Sequence, residues 1–273
     1  MIESTEDTYR KLAEEFASRC VSVDLEVGKA DTKIHQIGAV RLESRVAPYG
    51  EFSHSRGSLV AALADLDKFS SGSEFTLGHN FIVFDRKHLM AARSDLALLA
   101  RPPLDSLWLN PLAFPRNPYH HLVKHYQDGQ LQSGQKNNPV ADARLSLDML
   151  MDQFVSLRKA HSTNPELVAL FHWLTSRGDE TQGFDAFFSS LRGQPAPGAD
   201  QARKYLTNFL EDKACMTFGR TAVECAESLG WSLAFSLSWF SVAGGNSVVP
   251  PWVTHQFPKV RATIRLFPGF PCE

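Results

Sequence analysis

Cysteine is scarce: Cys20, Cys215, Cys225 and Cys272 are the only four in 273 residues, and they form no CxxC pair and no zinc-ligand spacing. A disulfide framework is therefore excluded as the source of stability. A chain this long buries a core without staples, and reduced thiols are expected. Net charge is scarce too. Twenty-eight Lys and Arg against 30 Asp and Glu leave -2, so no overall positive field draws the chain to nucleic acid or anionic lipid, and a polyanion must be held by local chemistry. Long apolar runs are missing: the longest, Trp231 to Gly245, is interrupted by Ser232, Ser236, Ser238 and Ser241 and falls short of the ~20 apolar residues of a membrane span. The opening residues, MIESTEDTYRKL, lack the apolar stretch of a secretory signal. A soluble, cytoplasmic protein with no membrane partner is expected. There is no GxxxxGK[ST] nucleotide loop and no internal repeat.

What is present is an ordinary globular balance, 43% apolar and 21% charged, whose patterning divides the chain. The N-terminal part alternates element types. Helical spacing over Tyr9 to Arg19 precedes a strand, CVSVDLE. A polar turn, KADTK, leads to a second strand over Ile37 to Leu42, short enough for an antiparallel hairpin. A helix over Leu59 to Phe69, a strand over Phe75 to Leu77, and a helix over Phe81 to Ala92 follow. A strand over Leu104 to Trp108 and helices over Pro118 to Tyr126 and Pro139 to Leu157 complete this part. An α/β domain on a mixed sheet flanked by helices is predicted. From residue 156 onward the pattern is helical, over Glu166 to Ser176, Phe184 to Leu191, Ala202 to Leu210 and Thr221 to Phe240. The expected division is residues 1–155 and a mostly helical domain over 156–273. Asp200, after the breaker GQPAPGA, is a candidate N-cap, and Gly244-Gly245 a candidate helix stop.

Three acidic segments carry candidate chemistry. Asp24 and Glu26 stand at i and i+2 of the first strand, so both leave one face while Leu25 enters the core. A D-x-E triplet alone is equally an ordinary solvated strand end. In GHNFIVFD, a glycine and a polar dipeptide at a strand-to-helix junction put Asp85 on the first turns of a helix, where an acid also simply complements the dipole. In NNPVAD, Pro139 suits the first helical position and Asn138 the N-cap, which puts Asp142 about one turn inside. The buried face that follows holds it rigidly.

In order, VSVDLEVG with KIHQIGAV, LGHNFIVFD with PPLDSLWLN, and NNPVADARLSLDML resemble the three motifs of the DnaQ-like, or DEDD, exonuclease superfamily. The resemblance covers residues 20 to about 155 and implies a ribonuclease H-like fold. It also implies two divalent cations, with Asp24, Glu26, Asp85 and Asp142 as catalytic ligands. Hard oxygen donors suit Mg²⁺ or Mn²⁺, and two ions about 4 Å apart serve phosphodiester hydrolysis. NPLAFPRNPYHHLVKHYQDGQL and LAFSLSWFSVAGGNSVVPPWVTHQFP resemble the region preceding the helicase core in bacterial RecQ-like ATP-dependent DNA helicases that carry an N-terminal DEDD exonuclease. A 3′-5′ exonuclease acting on DNA, single-stranded by preference and with RNA also accepted, is implied, together with DNA repair or a helicase partner in cis or trans.

The match departs from the family at the position of the general base. The family places a histidine five, or a tyrosine four, residues before the last Asp, and here those positions hold Asn137 and Asn138. A carboxamide is no base near pH 7. Three readings follow: the metals suffice; one of His120, His121 and His125 substitutes; or the fold keeps its acidic pocket as an inactive, nucleic-acid-holding module. His121 and His125 fall at i and i+4 on a helix, without a Cys or Glu to complete a zinc site. Arg116, Lys124 and Lys136 against Asp128 make a modest positive patch. With it, His79 and Asn80 are the expected nucleic-acid contacts. Among the 19 Phe, Phe184, Phe187, Phe188, Phe235 and Phe240 have the spacing of buried helix faces rather than of base-stacking platforms. Trp252 is the better exposed candidate.

Overall fold

The computed structural model describes residues 4–43, 49–117, 120, 122, 126–127, 130–131, 138–178, 181–211 and 216–243. The chain divides into two compact units, one of residues 1–109 and 120–155, the other of residues 110–119 and 156–273.

The first unit opens with α1 (Thr5–Ala17), started by a capping box in which the Ser4 side chain accepts the Asp7 N–H and Asp7 reaches back to the Ser4 backbone. The strands β1 (Cys20–Val27), β2 (Ile34–Leu42) and β3 (Tyr49–His54), helix α2 (Leu59–Phe69), strand β4 (Phe75–Gly78), helix α3 (Asp85–Ala92), strand β5 (Pro103–Asp105) and helix α4 (Ser106–Ala113) follow. The two-residue strands β6 (Tyr126–Gln127) and β7 (Gln130–Leu131) precede α5 (Pro139–Thr163). The five-stranded sheet has the order β3-β2-β1-β4-β5. β2 runs antiparallel to β1, and β3 to β2, while β4 and β5 are parallel to β1. The predicted KADTK hairpin, the α2 helix and the mixed α/β sheet are all present.

As the central strand, β1 is covered on both faces, and Cys20, Val21, Ser22 and Val23 are all buried. On one face Val23, Leu25, Ile37 and Ala39 pack against Leu63 and Leu66 of α2 and Leu89 of α3. On the other, Phe16 of α1 stacks on Phe75 of β4 with ring centroids 5.4 Å apart and meets Phe154 of α5 at 6.2 Å. Each such buried aromatic contributes roughly 1.5–3 kcal/mol. Helix α5 is tied to this same face by Arg144 with Glu51, and by the Tyr49 hydroxyl donating to Asp148. Spaced by four, Arg144 and Asp148 form one stripe of the helix. Cys20 lies in this core, and burial pushes its thiol up, so it is an inert apolar residue.

Two glycines allow the close approaches. Gly38 pairs with Asp24 across the β1–β2 ladder, and a Cβ there would run into the Pro139 carbonyl carbon and the Val140 nitrogen. The first turn of α5 therefore rests backbone to backbone on β2. At Gly78 a Cβ would stand 2.7 Å from the Val23 carbonyl oxygen.

Several elements differ from expectation. β3 was not expected, because YGEFSH is short, half polar and contains Gly50. The 81–84 stretch is a set of turns and α3 starts at Asp85. Asn80 at φ 66° breaks the helical path before it. Strand β5 stops at Asp105, whose carboxylate accepts the Leu107 N–H at 3.0 Å and so starts α4 at Ser106. In place of a helix over 118–126, the described residues show His120 and Leu122 without regular structure and Tyr126–Gln127 paired with Gln130–Leu131.

In the second unit the described elements are helices: α6 (Pro165–Thr175), α7 (Gln182–Arg192), α8 (Ala199–Glu211), α9 (Met216–Glu224), α10 (Ala226–Leu229) and α11 (Trp231–Ala243). Leu167 to Thr175 of α6 are buried on every side, the mark of a central helix. Around it Phe184, Phe187, Phe188, Phe235 and Phe240 are all core residues. The expected helix over Thr221 to Phe240 is three helices, because Cys225 leaves the helix and Gly230 takes φ 50°, ψ -126°. Asp200 lies inside the first turn of α8 rather than at its N-cap; the Gly198 carbonyl accepts the Ala202 N–H. Two serines of the apolar stretch donate within the helix, Ser236 to the Ser232 carbonyl and Ser241 to the Ser238 carbonyl, while the Ser238 hydroxyl donates to the distant Pro111 carbonyl at 3.0 Å. Among the described residues no helix is long and apolar enough to cross a membrane. Gly244, Gly245 and Trp252 lie outside the described residues.

Gly38→Ala is expected to destabilise the protein by about 1–3 kcal/mol, since both partners in the clash are backbone. Gly198→Ala, where a Cβ meets nothing within 4 Å, is the neutral control. Thermal melting checks both: a Gly38→Ala midpoint equal to that of the control would refute the close contact.

Candidate metal centre

The centre begins where β1 emerges from the core. Asp24 and Glu26 are half-buried with Leu25 only 5% exposed between them, the alternation that the D-x-E spacing predicts. Asp142 comes from the start of α5. Pro139 opens that helix, the Asn138 side-chain oxygen accepts the Ala141 N–H at 3.2 Å, and the Asn138 carbonyl accepts the Asp142 N–H at 3.0 Å. Asp142 is 6% exposed. With α5 seated on Gly38, ligand oxygens of Asp24, Glu26 and Asp142 all lie within 4.8 Å of one another. Sequence-distant carboxylates at such separations repel, and a cation reverses the sign of the interaction.

The fourth predicted ligand is adjacent but outside that mutual group. Asp85 is 3% exposed, and its Oδ1 accepts the Leu25 N–H at 3.1 Å. Burial foremost, and then the negative charge of Asp24, push its carboxyl well above the usual carboxylate range, against the pull of the Leu25 bond. The location suits a ligand site. From β1 the chain goes first to β2 and β3 on one side and then to β4 and β5 on the other, so the carboxyl end of β1 lies at a topological switch point.

A residue that sequence reasoning passed over organises the wall. Asp105, fully buried, accepts the N–H groups of Asn80 at 2.9 Å, Ile82 at 3.0 Å and Leu107 at 3.0 Å. It thereby fixes the turn that leads to Asp85. Its carboxyl is pushed up to about 6 by burial, which outweighs four backbone hydrogen bonds. The available signal was a lone acid inside the apolar run LDSLWL. His79 is also fixed: the Ser106 hydroxyl donates to the Gly78 carbonyl at 3.2 Å, so the His79 Nδ1, 3.0 Å from Ser106 Oγ, is the donor in that pair.

The remaining candidates separate. Asn80 takes a left-handed φ of 66°, which Asn tolerates better than most residues. His120, a candidate substitute base, is fully buried and is not one of the three mutually close acids. Arg116 is exposed and belongs to the second unit. His121, Lys124, His125, Lys136 and Asn137 lie outside the described residues. The donor set is carboxylate oxygen alone, which fits Mg²⁺ or Mn²⁺ rather than a softer metal. No family model, no curated protein and no solved structure matches this chain.

Two pH dependences follow. Because the Asp85 carboxyl is shifted upward, a cation bound there would compete with its proton, and Mn²⁺ affinity measured by calorimetry is expected to rise with pH and to be accompanied by proton release. The other concerns stability without added metal. Asp105 holds its proton in the folded state up to about pH 6, against 3.8 for the free group, so its contribution is complete below pH 3.8 and is lost as pH rises through 6. The loss amounts to about 3 kcal/mol. Urea denaturation should show the difference between wild type and Asp105→Asn changing across that window and flat above it. A pH-independent difference would remove Asp105 as the source.

Proposed function

We propose that this chain is a divalent-metal-dependent 3′-5′ exonuclease of the DnaQ-like type, with a ribonuclease H-like first unit, hydrolysing phosphodiester bonds of DNA and, less selectively, RNA. The observation that carries the proposal is the convergence of Asp24, Glu26 and Asp142 within 4.8 Å at the carboxyl end of β1, with buried Asp85 beside them. The motif order VDLE, GHNFIVFD, NNPVAD supplies the same acids in the same sequence. The mixed sheet is compatible with the fold that the resemblance implies.

Asp24, Glu26 and Asp142 would hold the cations, with Asp85 beside them as a further carboxylate ligand once ionised. Bound there, Mg²⁺ or Mn²⁺ supplies the Lewis acid that lowers the pKa of an attacking water and stabilises the leaving oxygen. The carboxylates fix the position, and the Gly38 contact keeps Asp142 in place opposite Asp24. Preorganisation of this kind counts because no protein group need move during the reaction. The cations also attract the phosphates that a net charge of -2 does not.

One observation favours a second reading. The Asn138 amide, at the position where one branch of the family it resembles carries a tyrosine, is committed to capping α5 through its bond to Ala141. A centre without a positioned base loses about 10²- to 10⁴-fold in rate, so a slow enzyme or an inactive nucleic-acid-holding module is the alternative.

With Mn²⁺ and a 5′-labelled oligonucleotide, stepwise shortening from the 3′ end is expected. Asp142→Asn and the double substitution Asp24→Ala/Glu26→Ala should each lower it by at least about a hundredfold, since even outer-shell changes cost metal sites 10- to 100-fold. Tight binding without cleavage supports the inactive module. Cleavage that survives the double substitution rejects the metal centre.

A further inference from the structure

A second site is built in the helical unit, around a buried cation. Helix α7 ends at Arg192, where Gly193 takes the left-handed φ of 69° that stops it. Arg192 is only 9% exposed. Its Nη1 donates to the Pro195 carbonyl at 2.9 Å and to Nδ1 of His172 at 2.7 Å. A guanidinium has donors only, so His172 Nδ1 accepts, and the Nε2 hydrogen goes to Asp185 Oδ1 at 2.8 Å. The imidazole is therefore neutral, in keeping with burial, its foremost influence, holding His172 below its ordinary range. Arg192 is fixed in orientation, yet its charge meets a carboxylate only through the intervening ring.

Part of the guanidinium has no partner among the described residues: its Nε is buried and makes no hydrogen bond there, a costly state for a charged donor. Further positive charge lies close by. Arg158 Nη1 donates to the Leu191 carbonyl at 2.6 Å. Burial, and then the charges of Arg158 and Arg192, lower the pKa of His161, and His161 Nε2 is likewise buried without a partner.

Arg192 lines a cleft of about 460 Å³, together with Gln194, Pro195, Pro197, Gln201 and Tyr205. The acid on its wall, Glu166, is exposed and so screened by water. Arg192 is among the residues that line the cleft, and a guanidinium pairs with a carboxylate or phosphate through N–H groups not already engaged. The volume falls within the range of small-molecule sites, and the prolines and Tyr205 offer apolar and aromatic surface to the body of a ligand.

We propose that this cleft binds a small organic oxyanion, a molecule carrying a phosphate or carboxylate that Arg192 anchors while Tyr205, Gln201 and the proline wall contact its body. The site is independent of the metal centre.

The test uses the full chain carrying Asp24→Ala/Glu26→Ala, so that ligation at the acidic centre contributes nothing. Inorganic phosphate, acetate and a deoxynucleoside 5′-monophosphate are titrated separately, by calorimetry and by NMR of backbone and side-chain amides. Saturable shifts at Gln194, Ala196 and Gln201 are expected, and the monophosphate should bind more tightly than inorganic phosphate. A response to phosphates with acetate silent assigns a phosphate ligand, and the reverse assigns a carboxylate. Arg192→Lys keeps the charge but loses the fork, and is expected to weaken binding at least tenfold. Because Arg192 also supports His172, Gln201→Ala/Tyr205→Ala on the more exposed wall is the companion variant, expected to melt normally and bind the monophosphate more weakly. Absence of shifts at the cleft for all three probes at millimolar concentration overturns the proposal. So does an affinity unchanged in both variants.

Discussion

The candidate centre depends on a missing side chain. Gly38 lies opposite Asp24 on the neighbouring strand, and the absence of a Cβ lets the backbone of Pro139 and Val140 rest directly on the sheet. The position of Asp142 follows from that approach. The Asn138 cap and Pro139 set where α5 begins, the beginning sets where Asp142 falls one turn later, and the seat on β2 sets its distance from Asp24 and Glu26. The polar stripe of Arg144 and Asp148, engaging Glu51 and Tyr49 on β3, then fixes the direction in which the helix leaves. A side chain at position 38 would lift the helix start, and no rotamer change could compensate, because both colliding groups are main chain.

Concentrating acids in a water-poor crevice carries an electrostatic penalty, and the fold answers it in two ways. Backbone N–H groups are turned on the deepest carboxylates: Leu25 on Asp85, and Asn80, Ile82 and Leu107 on Asp105. Protonation supplies the rest, which is why burial raises both groups. The two acids differ in what they can do next. Asp105 spends its oxygens on the turn and the start of α4, so its role is architectural. Asp85 uses Oδ1 for Leu25 and lies beside the cluster, so under the proposed function a cation there would compete with its proton.

Periodicity and turn chemistry made the sheet and α2 legible, since KADTK between apolar runs specifies a hairpin and LVAALADLDKF has one apolar face. The Asp24–Glu26 pair was equally readable, because strand alternation alone puts both on one face. Asp142 was readable from its cap. What eluded the sequence was tertiary in origin. The role of Asp105 depends on N–H groups some 25 residues away in the chain, and Gly38 looks like any strand glycine until a helix a hundred residues later arrives over it. YGEFSH is a strand because β2 offers it an edge, not because of its own preference. The break at Gly230 was hidden by helical neighbours on both sides.

The contact between Gly38 and Pro139 joins two points about a hundred residues apart, and chain entropy opposes such closures until other structure has shortened the loop. The β1–β2 hairpin and its first two ligands can form early from local contacts, while Asp142 arrives with the closing helix. The acidic cluster is therefore completed late in folding. A cation that required all three carboxylates would bind the finished state and not the nucleus, so it would act on the rate of unfolding more than on the rate of folding. In kinetic terms the centre is a latch on a structure already assembled.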